Sequence, residues 1–220
     1  MTTNPIIYTL ARGARLARNI YMDLRFGGRF LGGEIKTPYV SLGAKDTASA
    51  HYSALDVIFK DRIGPTDVLV DVGCGKGRVI NWWLHQGLKN RIYGLELDPP
   101  VARATSQRLR RYPNVTIVSG GAVENFPPDA SLAYAFNPFM EEVMRKFKDK
   151  LAAMRTAPRQ PLTLLYYNPS HLNVFEGDHR WRLEENFVVV PALAVDRLVQ
   201  RHFRLAVLRL NGGGFEQGHL

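Results

Sequence analysis

The feature that most constrains the fold is an apolar run that leads directly into three alternating glycines. Residues 68–72 form a short, almost wholly apolar segment, which is typical of a buried parallel strand. Gly73, Gly75 and Gly77 follow, and glycine permits both a sharp turn and a close approach of backbone to a ligand. A helix predicted from about Lys76 would point its N-terminal amides at that turn. The pattern predicts an α/β fold with a nucleotide-type cofactor at the end of this strand.

Three kinds of cofactor use such a turn, and the spacing of the residues separates them. A phosphate-binding P-loop needs Gly-x-x-x-x-Gly-Lys-Ser/Thr, which the residues around Lys76 do not match. A dinucleotide site spaces its glycines as Gly-x-Gly-x-x-Gly, but Gly77 comes one residue early. Too little chain also remains for a second nucleotide half and a substrate domain. S-adenosylmethionine remains, because Asp71 can face its ammonium group and Glu96 can accept from both ribose hydroxyls.

Four motifs in one order resemble the class I S-adenosylmethionine-dependent methyltransferases. They are DVGCGKG at 71–77, YGLELD at 93–98, VTIVSGGA at 115–122 and AYAFNPF at 133–139. The resemblance covers roughly residues 61–210. It implies methyl transfer from S-adenosyl-L-methionine, with S-adenosyl-L-homocysteine as the product. The residues that it places around the cofactor are Asp71, Gly73, Cys74, Gly75, Glu96, Leu97, Gly121, Ala122 and Asn137.

The alternation of strand and helix patterns predicts the sheet that this resemblance implies. The fold expected is a doubly wound, mostly parallel seven-stranded sheet between two helical layers, with an antiparallel hairpin at one edge. Strands are expected near 67–73, 91–97, 114–119, 131–137, 161–167, 181–190 and 203–210, and helices near 76–88, 99–112 and 139–155.

Two departures from the family pattern affect the expected ligands. Gly121 stands where many relatives carry an Asp that binds adenine, so backbone amides near Gly121 and Ala122 would take over, helped by Glu124. Asn137-Pro138-Phe139 lacks the second proline of many amino-directed relatives. We therefore expect a small-molecule or glycan-like acceptor, methylated on oxygen.

Residues 1–60 are predicted to form a helical cap on a catalytic domain of residues 61–220. A helix over residues 5–26 has an apolar stripe that should pack on the core as a lid, which the glycines near Gly27 would let open. The alternative is a basic amphipathic helix in peripheral contact with an anionic membrane. Its arginines lie largely off that stripe: Arg12, Arg15, Arg18 and Arg25.

The acceptor pocket is expected at the carboxyl ends of the strands, below that cap. A second helix is predicted over residues 47–60, with Asp46 and Thr47 near the pocket. The candidate catalytic residues are Asn137, His171 and His51. The candidate acceptor-binding residues are Tyr52, Pro138, Phe139, Tyr167 and Asn168. No metal is expected, because the histidines show no ligand spacing.

Composition limits the partners and the compartment. The net charge of +9 raises the possibility of nucleic acid, but the basic residues can be spread over several faces and no RNA-binding module accompanies them, so this partner is not favoured. The single cysteine and the absence of an apolar run of about 20 residues predict a cytoplasmic protein without a transmembrane segment. The alternatives are an RNA or protein methyltransferase that uses the basic surface, and a non-catalytic cofactor-binding subunit.

Overall fold

A computed structural model describes residues 4–154, 161–199 and 203–211 of the 220-residue chain. Its strands are β1 (Glu34–Ile35), β2 (Thr47–Ala48), β3 (Val68–Val72), β4 (Arg91–Glu96), β5 (Val115–Ser119), β6 (Leu132–Phe136), β7 (Leu162–Tyr167), β8 (Trp181–Val188) and β9 (Arg204–Leu210). Its α-helices are α1 (Pro5–Gly27), α2 (Tyr52–Ile58), α3 (Arg78–His85), α4 (Pro99–Leu109), α5 (Ala122–Asn125), α6 (Glu141–Ala153) and α7 (Ala194–Val199).

Seven of these strands form one sheet in the order β5-β4-β3-β6-β7-β9-β8. The five strands from β5 to β7 are parallel, whereas β9 runs antiparallel to both β7 and β8. The predicted mostly parallel sheet with an antiparallel edge hairpin is therefore confirmed. The hairpin differs in one respect, because its connection contains the helix α7 instead of only a short turn.

Two apolar clusters cover the two faces of the sheet. Alternate residues of a strand point to opposite faces, so Leu69 joins the cluster that includes Trp83, while Val70 joins the cluster that includes Phe147. The central strand β3 is buried along its whole length. The chain order reverses between β3 and β6, which opens a crevice at their carboxyl ends.

The second predicted helix is shorter than expected. It begins at Tyr52, because Thr47 and Ala48 are paired with β1 in a two-stranded antiparallel sheet and their backbone is not available for a helix. Between β1 and β2, residues 37–46 run across the carboxyl end of β6, and we call this segment the strap. The amide of Lys45 donates to the Pro138 carbonyl at 3.0 Å, and the amide of Met140 donates to the Gly43 carbonyl at 2.8 Å.

The first helix forms as predicted, but it packs with the opposite face. The residues of α1 that are fully buried are small or polar and include Asn19 and Asp23, with Met22 and Phe26 partly buried against the core. Asp23 forms an ion pair with Arg78 of α3, and both side chains are at most 5% exposed. Asp23 also accepts from the Tyr52 hydroxyl at 2.8 Å and from the Leu31 amide at 3.0 Å. The expectation that the apolar stripe packs on the core is therefore wrong.

The same contacts argue against a hinge next to α1. Gly27 is buried, and the Asp23 carboxylate fixes the chain just beyond it through the Leu31 amide. The boundary between residues 1–60 and 61–220 stays a prediction. The ends of those two segments, residues 1–3 and 212–220, and residue 155 of the helix predicted over residues 139–155 lie outside the described residues.

Candidate active site

The glycine turn after β3 is held in place by the neighbouring strand β4. Gly73, Gly75 and Gly77 have φ values of 74°, 52° and 71°, a left-handed backbone region that favours glycine. The amides of Gly73 and Cys74 both donate to the Leu95 carbonyl at 2.9 Å. These bonds hold the turn against the end of β4 and set the position of its backbone.

Glu96 ties the turn to the end of β4 through its carboxylate. Its Oε2 accepts from the Gly75 amide at 2.8 Å, and its Oε1 accepts from the Asp98 amide at 2.9 Å. Burial raises the pKa of Glu96, while these amide bonds oppose that rise. Each carboxylate oxygen can accept a second hydrogen bond, so Glu96 retains capacity for a pair of ligand hydroxyls.

Asp71 has a buried carboxyl group with one oxygen that makes no hydrogen bond to the described residues. Its Oδ2 atom is inaccessible to solvent and has no hydrogen-bond partner among the described residues. Burial raises the pKa of Asp71 to about 8, and the nearby Glu96 carboxylate adds to the rise. A buried acceptor without a partner is costly, and a cationic ligand group would satisfy it. This orphaned oxygen fits the ammonium group of S-adenosylmethionine.

A first cavity of about 350 Å³ opens at the carboxyl ends of β3, β4 and β5. Five of the nine predicted cofactor residues line it: Gly73, Glu96, Leu97, Gly121 and Ala122. Glu124, from the same stretch of chain, lines it as well. Asp71 and Cys74 line a much smaller recess of about 30 Å³ that shares Gly73 and Phe136 with this cavity. Gly75 contributes through its amide bond to Glu96.

A second cavity of about 520 Å³ lies beside the first. Four residues predicted for the acceptor, for catalysis or for both line it, namely His51, Asn137, Tyr167 and Asn168. Sequence reasoning missed most of the rest of its wall, which includes Tyr8, Arg12 and Arg15 of α1 together with Val199 and Phe203. These residues are distant along the chain from every motif, and only the packing of α1 against α7 brings them here.

Three predicted acceptor residues lie elsewhere. Pro138 and Phe139 line the first cavity, where the strap covers them, and not the second. Tyr52 is fully buried beneath α1 and donates its hydroxyl proton to Asp23, so it cannot contact a substrate. The prediction for Tyr52 is corrected because an acid from the first helix, far away in sequence, occupies its polar end.

The strap places an unpredicted lysine where the two cavities meet. Lys45, Asp46, Ala48 and Phe136 line both cavities. The Nζ atom of Lys45 lies 3.0 Å from Asn137 Oδ1 and 3.1 Å from His171 Nε2. Burial lowers the pKa of Lys45. The only sequence signal for this lysine was its place in the segment before the first core strand, beside Asp46.

The two candidate histidines are poorly suited to take a proton directly. Burial, reinforced by Arg15 and Arg78, lowers the pKa of His51 to about 4, which makes it a weak base. Its Nδ1 atom is also 3.2 Å from the amide nitrogen of Asn19. His171 lies behind Lys45 and lines neither cavity, and burial together with Lys45 lowers its pKa. His171 and Asn137 both contact the lysine, and Asn137 Nδ2 also donates to Ser170 at 2.9 Å.

Comparison with known proteins agrees with this geometry. Residues 70–159 match the family described as "Methyltransferase domain". A curated relative, the probable cobalt-precorrin-6B C(15)-methyltransferase (decarboxylating) of Methanothermobacter thermautotrophicus, is 35% identical over 95 residues. That match covers 40% of this chain and 48% of the relative, so the chain spans about half of the relative's length.

Solved structures share the fold at low sequence identity. A methyltransferase from Pyrococcus furiosus superposes with a TM-score of 0.61 at 13% identity, over 91% of this chain and 98% of that one. An RNA methyltransferase from Salinibacter ruber, crystallised with S-adenosyl-L-homocysteine, gives a TM-score of 0.53 at 16% identity, over 79% of this chain and 100% of that one. At these identities the likeness concerns the fold.

The domain match over residues 70–159, the strand order and the glycine turn together support a class I S-adenosylmethionine-dependent methyltransferase. The resemblance drawn from the four motifs is thereby confirmed, and S-adenosylmethionine is the cofactor of this class. Within residues 4–154, 161–199 and 203–211, no cluster of three His, Cys, Asp or Glu side chains could hold a metal ion. No helix of that part of the chain is long and apolar enough to span a bilayer.

Proposed function

We propose that this chain transfers a methyl group from S-adenosylmethionine to an oxygen of a small-molecule or glycan-like acceptor. One observation carries the proposal: the cavity lined by the cofactor motifs and the cavity lined by Asn137 and Asn168 share a wall. Lys45, Asp46, Ala48 and Phe136 form that wall. A methyl donor in one cavity and an acceptor in the other would meet there, as an in-line transfer requires.

The division of roles follows from the lining of each cavity. When bound, the cofactor supplies a methyl group on a sulfonium, and the leaving group is the thioether S-adenosyl-L-homocysteine. Asp71 would hold the ammonium group, Glu96 the ribose hydroxyls, and the amides near Gly121 the adenine. Leu97, Pro138 and Phe139 would exclude water from the first cavity.

Lys45 is the group that we propose to take the acceptor's proton. Its Nζ atom is within hydrogen-bond distance of Asn137 Oδ1 and of His171 Nε2, which is an acceptor in the Nδ1-protonated tautomer. A neutral amine can donate two protons there and keep a lone pair for a third partner. As the methyl group bonds to the acceptor oxygen, the hydroxyl proton would pass to that lone pair. The lowered pKa of Lys45 supports this role, because it favours the neutral amine.

The size and polarity of the second cavity support the acceptor class. A volume of about 520 Å³ is within the range of sites for small molecules. Its wall carries side-chain amides and hydroxyls, from Asn137, Asn168, Ser49 and Tyr8, that can bind a polyhydroxylated compound. The cytoplasm is the compartment that we propose, because the buried Cys74 cannot form an intramolecular disulfide.

RNA is the second candidate acceptor, favoured by the net charge of +9. Several of the basic residues are already paired, as Lys146 is with Glu142 and Lys148 with Asp178. RNA binding should weaken steeply with salt, because counterions are released. A titration with mixed RNA at two salt concentrations tests this candidate, and affinity no tighter than about 10⁻⁴ M would exclude it.

The proposal is tested with methyl-labelled S-adenosylmethionine and separate pools of metabolites, polysaccharide, RNA and protein. A cobalt-precorrin pool belongs in the set, because the curated relative is named for that substrate. We expect label in the metabolite or polysaccharide pool, in a product that releases labelled methanol on hydrolysis of a methyl ester or labelled methyl iodide on cleavage of a methyl ether with hydriodic acid. Label only in RNA or protein would overturn the acceptor class. Cofactor binding without transfer to any pool would favour a non-catalytic subunit.

A further inference from the structure

The helix α1 presents its apolar side to solvent. We define the outer stripe as Ile6, Leu10, Ala17, Tyr21 and Leu24. Ile6 and Leu10 are each 69% exposed and Leu24 is 53% exposed, so no described part of the chain covers them. At about 100° per residue, Leu24 lies five turns above Ile6 on the same line, and the stripe is about 27 Å long. A stripe of this length exceeds scattered surface apolar residues and indicates a docking surface.

The charges that border the stripe are all positive. The single acid of α1, Asp23, is buried in its pair with Arg78. Arg12 and Arg25 lie on opposite sides of the stripe, each roughly a third of a turn from the Ile6–Leu24 line. Neither has a carboxylate partner among the described residues, and Arg25 contacts only the Tyr21 hydroxyl and nearby rings. An occupant of this surface must therefore be apolar in the middle and anionic along both edges.

We propose that α1 lies on the surface of an anionic lipid bilayer. The outer stripe would enter the boundary between headgroups and acyl chains, and the arginines would reach lipid phosphates on either side. A second copy of the chain fits less well, because pairing two such helices would bring rows of arginines together. The core-facing contacts of α1 with α3 and α7 stay intact in this arrangement, so docking requires no unfolding.

The orientation links this surface to the second cavity. Tyr8, Arg12 and Arg15 of α1 line that cavity, while the outer stripe faces away from it. A docked α1 would hold one edge of the cavity at the height of the headgroups. The proposal itself does not depend on the identity of the methyl acceptor.

The test is co-sedimentation of the full chain with vesicles at low salt. One set of vesicles has equal parts phosphatidylglycerol and phosphatidylcholine, and the other has phosphatidylcholine alone. We expect binding to the first set and little to the second. Leu10→Glu combined with Leu24→Glu should weaken binding by at least about tenfold, since each leucine loses its burial in the bilayer. Arg25→Gln should weaken it by about fivefold.

A matched control separates the stripe from general surface charge. Leu183 of β8 is 47% exposed, similar to Leu24, and Leu183→Glu adds away from α1 the same single charge that Leu24→Glu alone adds on the stripe. We expect Leu183→Glu to bind vesicles like the wild type, and all variants to retain cofactor binding as a sign of folding. Failure of the wild type to bind anionic vesicles would overturn the proposal. Equal loss in the Leu183 and stripe variants would also overturn it, as would a wild-type dimer in sedimentation velocity that the stripe variant alone dissociates.

Discussion

The glycine-turn region and the N-terminal region meet at the same site, yet they are built in opposite ways. In the turn region the contacts that fix the site join residues close in sequence: Gly75, whose amide donates to the Glu96 carboxylate, is 21 residues from Glu96. In the N-terminal region such contacts join residues far apart in sequence, since Lys45 and His171 are separated by 126 residues. A local motif fixes the first kind of geometry, whereas the second exists only once the whole fold has formed. The residues of the cofactor cavity can therefore be predicted from the sequence, whereas most residues of the acceptor cavity cannot.

The largest expected effect tests whether the N-terminal region is an integral part of the folded domain or a detachable cap. Asp23→Asn removes the charge that compensates the buried Arg78, and breaking such a pair costs about 3–5 kcal/mol. We expect a loss of this size in the free energy of unfolding, measured by urea denaturation. Asp129→Asn, in the exposed pair with Arg91, is the control and should cost below about 1 kcal/mol. Equal effects of the two variants would show that α1 contributes little to the folded domain.

The next largest effect concerns the strap. Lys45→Met should lower kcat by about 10²–10³-fold, which is typical for loss of a general base, while cofactor affinity stays within about twofold. Lys45→Arg should not rescue, because arginine keeps its proton. In the wild type, kcat should rise with pH through the lowered pKa of Lys45, since the neutral amine is the active form. Lys146→Met is the control, because Lys146 lines the first cavity but is paired with Glu142. Full rescue by arginine would assign Lys45 a purely electrostatic role.

Much of the fold could be predicted from local sequence patterns. Buried strands such as β3 are continuous apolar runs, and helices such as α4 begin at prolines. The face on which α1 packs did not follow, because its apolar stripe pointed to the core while the Asp23–Arg78 pair decided the orientation. For the same reason, Tyr52 was predicted to contact the acceptor but is buried, whereas Lys45 was not predicted and lines both cavities. A residue's neighbours across the fold, and not its neighbours along the chain, determined whether it reached a cavity.

A smaller effect is expected on the cofactor side. Glu96→Ala should weaken S-adenosylmethionine binding by about 1.5–3 kcal/mol, through loss of charged hydrogen bonds to the ribose and of the Gly75 and Asp98 contacts. Isothermal titration calorimetry measures this directly. Glu124→Ala removes a carboxylate that lines the same cavity but has no hydrogen bond to the turn, and it should cost less. A larger loss for Glu124 would move the main polar anchor to the adenine end of the cavity.

The smallest effect, and the most specific to the cofactor side, is a proton released when the cofactor binds. Burial raises the pKa of Asp71 from 3.8 to about 8, so near pH 7 the carboxyl group is mostly protonated in the free protein. An acid whose pKa is raised by folding favours the folded state at low pH. That contribution declines as the pH rises from about 4 through 8.

An ammonium group beside Asp71 would favour the ionised form and expel the proton. Calorimetry at pH 7 in two buffers of different ionisation enthalpy should therefore detect release of a sizeable fraction of one proton per cofactor. Asp71→Asn should abolish this release while Glu124→Ala keeps it. Equal proton release by the wild type and Asp71→Asn would show that the ammonium group is held elsewhere.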